Sequence, residues 1–177
     1  MANRYIMTAF GNDRPGIVAD VTRLLFENGC NLEDNSMTLL ADEFTLILLF
    51  SSAESGIEER LLQECRRLER DKGISAFIRP LKDRQDSTMA DSFPCILHVE
   101  GLDQAGIVYK VSQYLADNRV NIIDLNSKVR ESPESGTAIY LMDIDVRVPN
   151  HLSLDQLEAG LTAVADELHV DITLTRS

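Results

Sequence analysis

The chain has 177 residues, enough for one medium domain or two small ones, with 17 basic and 29 acidic side chains and a formal net charge of −12. Its 44% hydrophobic and 26% charged residues are ordinary for a globular protein and exclude intrinsic disorder for most of the chain. The acidic balance argues against direct binding of a nucleic-acid backbone, which relies on clustered lysines and arginines.

The first half of the chain predicts two helices among four strands. Apolar residues recur at helical spacing from Gly16 until Asn28-Gly29, a pair that signals a helix end. The apolar run 44–50 predicts a buried strand, with Asp42 at the hairpin turn before it. In chain order, the predicted elements are a strand at 5–10, a helix at 16–28, strands at 31–40 and 43–51, a helix at 57–68 and a strand at 74–78.

The second half predicts the same order of elements. Ile144, Val146 and Val148 alternate with charged residues, which is typical of a half-buried strand. Apolar residues spaced by three and four positions predict a helix face at 154–168. Both halves follow the order βαββαβ, the ferredoxin-like motif. The predicted fold is α+β: two units, each a four-stranded antiparallel sheet with both helices on one face.

A direct repeat supports this division into two units. Shifting the sequence by 90 residues gives ten identities over the 24 positions from 11 to 34, without a gap. Ordinary composition would give about one or two by chance. The identical pairs are Gly11/Gly101, Asp13/Asp103, Gly16/Gly106, Ile17/Ile107, Val18/Val108, Val21/Val111, Leu25/Leu115, Asn28/Asn118, Asn31/Asn121 and Asp34/Asp124.

A polar segment without periodicity separates the two copies. It contains no large apolar residue except Met89, which is typical of a linker. We therefore place the first domain at 1–82, the linker at 83–91 and the second domain at 92–177.

Cysteine usage and hydropathy indicate the compartment. Cys30, Cys65 and Cys95 form no CxxC pair and no even set, so the sequence predicts a reduced, intracellular protein. The start lacks a signal-peptide core, and no apolar stretch approaches the roughly 20 residues that a membrane helix needs. We expect a cytoplasmic protein without membrane contact.

The loop at 11–16 is the candidate ligand site. It joins the first strand to the first helix, and a helix N-terminus offers free N–H groups and a positive dipole end to a carboxylate. Asp13 can accept hydrogen bonds from an ammonium group, and the Asn31 amide can both donate and accept. A zwitterionic amino acid needs this combination of donors and acceptors.

A structural interpretation of the same residues stays open. Asp13 can simply cap the helix, with Pro15 and Gly16 forming a tight turn. Asn31 alone is more often a turn residue. Asp13 and Asn31 recur in the second copy at the same interval of 18 residues, as Asp103 and Asn121, but shared folding needs can also produce this recurrence.

Two segments carry a family resemblance. Residues 13–18, DRPGIV, followed by NGCNL at 28–32, resemble the ACT domain, a small regulatory unit that binds amino acids. Two such units make up nearly the whole chain. The arrangement is similar to the glycine cleavage system transcriptional repressor family, especially at 31–36 and 43–45.

The resemblance implies that the units pair side by side and that an effector binds at their interface. The second copy has Leu102, Gln104 and Ala105 where the first has Asn12, Arg14 and Pro15, so the first copy offers the stronger site. The implied ligand contacts are Asn12, Asp13, Pro15, Gly16, Ile17 and Asn31 in the first copy, and Leu102, Asp103, Gly106, Ile107 and Asn121 in the second.

The resemblance also implies a non-enzymatic sensor. In the similar repressor family, the protein binds a DNA-bound activator of glycine cleavage genes, and glycine relieves the contact. The acidic charge fits this indirect route because a chain of charge −12 should not seek DNA itself. Exposed sheet edges favour a homodimer. The alternative is a sensor of another small amino acid that regulates a metabolic enzyme.

An enzyme is the remaining alternative. Acylphosphatases share the βαββαβ order and bind an anion in the first loop with an arginine, for which Arg14 and Asn31 are superficial matches. Gln104 takes the arginine position in the second copy, and the surrounding glycine pattern is missing. The sequence predicts no cofactor, no metal and no catalytic residue, because the three histidines, His98, His151 and His169, lack triad or metal-ligand spacing.

Overall fold

The computed structural model describes residues 3–81, 91–132 and 136–176. The chain divides into two compact units, residues 1–84 and 85–177. Apart from Asp91, the predicted linker at 83–91 lies outside the described residues. The limits of the two domains stay a prediction.

The first unit has the predicted order of elements, several of them longer than the periodicity indicated. The first strand extends two residues beyond the prediction at each end, and the second helix continues to Lys72. The elements are β1 (Asn3–Asn12), α1 (Ile17–Glu27), β2 (Asn31–Leu40), β3 (Glu43–Ser52), α2 (Ile57–Lys72) and β4 (Ser75–Pro80).

The second unit repeats the order of the first. Its elements are β5 (Ser92–Leu102), α3 (Ile107–Asp117), β6 (Asn121–Glu131), β7 (Ala138–Pro149), α4 (Leu154–Leu168) and β8 (Val170–Arg176). The strand orders are β2-β3-β1-β4 and β6-β7-β5-β8, with every described pairing antiparallel. The predicted fold of two ferredoxin-like units is confirmed.

Buried residues alternate with residues of the other face along the strands, and this alternation shows where the core of the first unit lies. Tyr5, Met7 and Ala9 of β1 are 2%, 0% and 0% exposed, because they face the apolar sides of α1 and α2. The residues between them point to the opposite face of the sheet. We call this second face of the β2-β3-β1-β4 sheet, opposite to the face that α1 and α2 pack against, the open face.

The first helix of each unit ends in the same backbone motif. The N–H groups of Gly29 and Cys30 donate to the carbonyls of Phe26 and Leu25, the hydrogen bonds of a Schellman motif. Gly29 has a φ of 66°. The equivalent residue of α3, Arg119, has a φ of 57°, so the second unit forms this turn without glycine. The predicted end of the first helix at Asn28-Gly29 is confirmed.

Candidate functional site

The loop between β1 and α1 contains a tight turn built on Pro15-Gly16. The Ile17 N–H donates to the Arg14 carbonyl over 3.3 Å, and Gly16 has φ 86° and ψ 0°. Proline at the second position and a left-handed glycine at the third are the requirements of a type II turn. The two residues therefore fix the backbone geometry that leads into α1.

The N-terminus of α1 has no side-chain cap. Gly16 occupies the N-cap position, and no side chain hydrogen-bonds there, so the interpretation of Asp13 as the helix cap is wrong. Asp13 instead donates its backbone N–H to the Asp42 carbonyl over 2.8 Å, which ties the loop to the β2–β3 turn. In a helix, the N–H groups of the first turn lack intrahelical acceptors, so those of Val18 and Ala19 are available to a ligand.

The Asp13 carboxylate is an exposed acceptor beside that helix end. Within residues 3–81, 91–132 and 136–176, no hydrogen bond or ion pair to it is observed. The neighbouring Asn12 amide donates to the Glu43 carboxylate and joins the end of β1 to the start of β3. The Asn12 side chain is therefore held by the fold, while Asp13 is open to solvent.

Arg14 is occupied by a partner within the unit. Its Nη2 lies 2.7 Å from Asp20 Oδ2, and Lys72 Nζ lies 3.7 Å from Asp20 Oδ1. The hydrogen bond from Arg14 lowers the pKa of Asp20, against the opposing effect of burial. An arginine engaged in this way is a poor anion receptor, which counts against the acylphosphatase-like alternative.

Sequence reasoning missed Asp20, although an acidic residue in the first turn of a helix is a recognisable signal.

We expect Asp20→Asn to lower the free energy of unfolding at neutral pH by about 1 kcal/mol, because the Asp20 side chain is 12% exposed and charge-paired. The folded pKa is depressed, so this stabilisation is complete above the unfolded pKa of about 3.9 and disappears as pH falls through the folded value. Urea unfolding at a series of pH values measures it. Asp71→Asn, which breaks a solvent-exposed pair with Arg70, is the control and should change little. A difference that persists unchanged in strong acid would contradict the electrostatic cause.

Asn31 does not lie beside the loop of its own unit. It pairs with Ser51, which pairs with Arg4 at the start of β1, whereas Asn12 is at the end of that strand. Arg4 and Asn12 are eight residues apart on β1, so Asn31 lies about 27 Å from Asn12 along the strand direction. Because α1 runs back along β1, the chain reaches Asn31 at the end of the sheet opposite to the loop.

The second unit shows the same separation. Asn121 pairs with Arg147, which pairs with Pro94, eight residues before Leu102 on β5. The loop repeats part of the first geometry, with Gly106 at φ 97° and the Asp103 N–H donating to the Ala138 carbonyl over 3.1 Å.

The second loop differs in polarity, as its sequence indicated. Leu102 is 60% exposed at the position of Asn12. The Gln104 amide donates to the Leu168 carbonyl at the end of α4, so it too is engaged within the fold.

Ile17 and Ile107 are both 2% exposed and belong to the cores, so only their backbone can meet a ligand at the surface.

The other side chains with reactive groups do not cluster in one place. His98 Nδ1 lies 2.5 Å from Asp143 Oδ1 on an exposed sheet face. Burial raises the pKa of the Cys65 thiol to about 11, which makes it a poor nucleophile. Among the described residues, no three His, Cys, Asp or Glu side chains are grouped to hold a metal ion. Within the same ranges, no helix has the length and apolar character to cross a membrane.

Comparison with known proteins gives consistent matches. The ACT domain family matches residues 3–78 and again residues 89–170. The glycine cleavage system transcriptional repressor of Escherichia coli K12 is 26% identical over 166 residues, which cover 93% of this chain and 85% of that protein. A UPF0237 protein of Methanopyrus kandleri is 32% identical over 77 residues, 43% of this chain and 86% of that protein.

Two solved structures match along the whole chain. A protein of unknown function from Galdieria sulphuraria has a TM-score of 0.80 and 29% identity, covering 100% of this chain and 99% of that one. A candidate glycine cleavage system transcriptional repressor has a TM-score of 0.70 and 26% identity, covering 99% of this chain and 97% of that one.

Proposed function

Because this chain belongs to the ACT domain family, with two such domains in tandem, we propose that it is a non-enzymatic regulator that responds to a small amino acid. The similarity to the E. coli glycine cleavage system transcriptional repressor makes glycine the first effector to test. The same similarity leads us to propose that the chain represses glycine cleavage genes indirectly, through a protein partner.

The observation that carries the proposal is the pairing of an open carboxylate with an uncapped helix end. Asp13 offers an acceptor for the effector's ammonium group, and the first-turn N–H groups of α1 offer donors for its carboxylate. The carboxylate lies in the loop that leads directly into α1, and the Pro15-Gly16 turn and the Asp13–Asp42 backbone hydrogen bond hold this loop in place. An effector bound there needs little reorganisation of the loop.

A site that also contains Asn31 requires two units. Since Asn31 lies about 27 Å from the loop of its own unit, it can meet only the loop of another unit. Side-by-side pairing through the edge strand β2, all ten residues of which are exposed, would supply the missing element. Effector binding would then stabilise this pairing.

The partner we propose is a DNA-bound protein. The net charge of −12 disfavours contact with DNA phosphates and is compatible with binding a basic or mixed-charge protein surface in the cytoplasm. Retardation of duplex DNA by the purified chain alone, at about 0.15 M salt, would overturn this indirect route.

Titration calorimetry of the full chain against glycine, serine, alanine and leucine tests the effector site. We expect Asp13→Asn to weaken binding of the preferred amino acid by about 30-fold or more, because the ammonium group loses a charged acceptor. Asp103→Asn, the matched change in the second unit, should have a smaller effect.

The alternatives are outcomes of the same titration. Tighter binding of serine, alanine or leucine than of glycine would favour a sensor of another amino acid that regulates a metabolic enzyme. If no amino acid binds, or if Asp13→Asn binds like the unaltered protein, the proposed site is wrong.

A further inference from the structure

The open face of the first unit is apolar at its centre. Phe77, Ile47 and Phe10 project from β4, β3 and β1 and are 64%, 46% and 41% exposed. The rings of Phe10 and Phe77 stack with their centroids 6.0 Å apart. Ile6 and Leu49, each half-buried, extend the patch toward the start of β1. Such a contiguous apolar patch on a sheet face marks an interaction surface.

The second unit shows that the fold does not require this surface. The strand registers place His98, Asp143 and Thr173 at the positions of Thr8, Ile47 and Phe77. The same face also has the carboxylates Glu100, Asp145 and Asp171 and the cations Lys128, Arg130 and Arg147. The same sheet face is therefore polar and charged in the second unit and apolar in the first, so the fold itself does not require the apolar face.

Among the charged residues of the open face, which also include Arg4 and Glu43, Asp34 and Arg79 lie in one row. Asp34 pairs with Leu49, Leu49 with Ile6, and Ile6 with Arg79, so the four side chains share a face and a level. Asp34 lies on the edge strand β2 and Arg79 on the opposite edge strand β4. Three strand spacings separate them by about 14 Å, too far for a direct ion pair.

This arrangement is self-complementary. A two-fold axis parallel to the strands, lying in the plane of contact, exchanges the β2 edge of one sheet with the β4 edge of the other. It places Arg79 of each copy opposite Asp34 of its partner, while the apolar centres meet. We propose that a second copy of this chain docks on the open face, so that two first-unit sheets stack face to face.

The area of the face is adequate for a specific contact. Four strands are about 19 Å wide, and strands of ten paired residues are about 33 Å long, so each copy covers about 600 Å². The total of about 1,200 Å² meets the lower limit of specific interfaces. The charges of this face also favour a second copy, because the row balances one Arg79 with one Asp34 and each meets its opposite across the two-fold axis. The row at the same level in the second unit has two aspartates, Asp124 and Asp145, and no cation.

Sedimentation equilibrium of the full chain, from about 1 to about 200 μM, tests the contact. We expect a concentration-dependent dimer that Phe77→Glu weakens by about 100-fold, because a charge then sits at the centre of the apolar contact. Phe26→Glu is the matched control: Phe26 is 81% exposed on α1, away from the open face, and its change should leave the dimer intact. A chain that stays monomeric throughout overturns the proposal, as does a dimer insensitive to Phe77→Glu in a variant with a normal unfolding midpoint.

Charge reversal tests the two-fold axis without touching the apolar centre. Arg79→Asp and Asp34→Arg should each weaken the dimer by about 10-fold, because like charges then face each other twice. The double variant Arg79→Asp, Asp34→Arg should recover most of the loss. Failure to recover overturns the predicted axis. Phe77 lies on β4, at the opposite edge of the sheet from the strand β2 used for effector pairing, so glycine titration of Phe77→Glu separates failure of this proposal from failure of the effector site.

Discussion

Replacing Phe50 by alanine is expected to lower the free energy of unfolding of the first unit by about 3–5 kcal/mol, the largest stability effect we anticipate. Phe50 lies in β3, is 0% exposed and stacks on Tyr5 of the paired strand with ring centroids 5.4 Å apart. Truncation removes the buried ring and leaves a cavity that the flanking strands, fixed by their hydrogen bonds, can only partly close.

Urea unfolding followed by circular dichroism measures this effect. Phe26→Ala is the matched control, since the same truncation at a residue 81% exposed on α1 should change the free energy of unfolding by less than about 0.5 kcal/mol. Equal losses from both variants would mean that Phe26 is covered in solution and would contradict the assigned core.

Adding a methyl group at Gly101 is expected to destabilise the second unit by about 1–3 kcal/mol through overpacking. A Cβ at this position would lie 2.5 Å from Val170 Cγ1 and 3.1 Å from Val170 Cα on the paired strand β8. A Cβ at the equivalent Gly11 would lie 2.9 Å from the Gly73 carbonyl oxygen, so close approach of the neighbouring chain explains why glycine occurs at this place in both copies.

A double-mutant cycle isolates this contact. Val170→Ala removes the nearest methyl group, so Gly101→Ala combined with Val170→Ala should cost less than the sum of the two single changes. The free energies come from urea unfolding of the four proteins. Simple additivity would show that Gly101→Ala acts by another route, such as a change in the unfolded chain.

Local patterns were sufficient to predict the elements and their order. The helices of both units follow from apolar residues three and four positions apart, and strands such as β7 follow from strict alternation. The repeat at 90 residues predicted two copies of one unit, and the residues around Asp13 and Asn31 indicated the family. These signals lie within short stretches of chain, where spacing alone determines which side chains share a face.

The candidate site was only partly accessible from sequence. The loop, its tight turn and the weaker second copy were predicted from residue types. The pairing of Asp20 with both Arg14 and Lys72 was not, because Lys72 lies 52 residues from Asp20 and meets it only when α1 packs against α2. The helix-cap interpretation of Asp13 failed for a related reason: the backbone of Gly16, not a side chain, ends up at the N-cap.

The sequence by itself determined the fold class, the two-unit organisation and the chemistry of the first loop, because these depend on local spacing and residue type. Only the tertiary structure decided that Asn31 lies at the far end of its own sheet, and that Asp34 and Arg79 share one row of the open face. Both results depend on strand order and register, which are set by long-range pairing that no short stretch of sequence encodes.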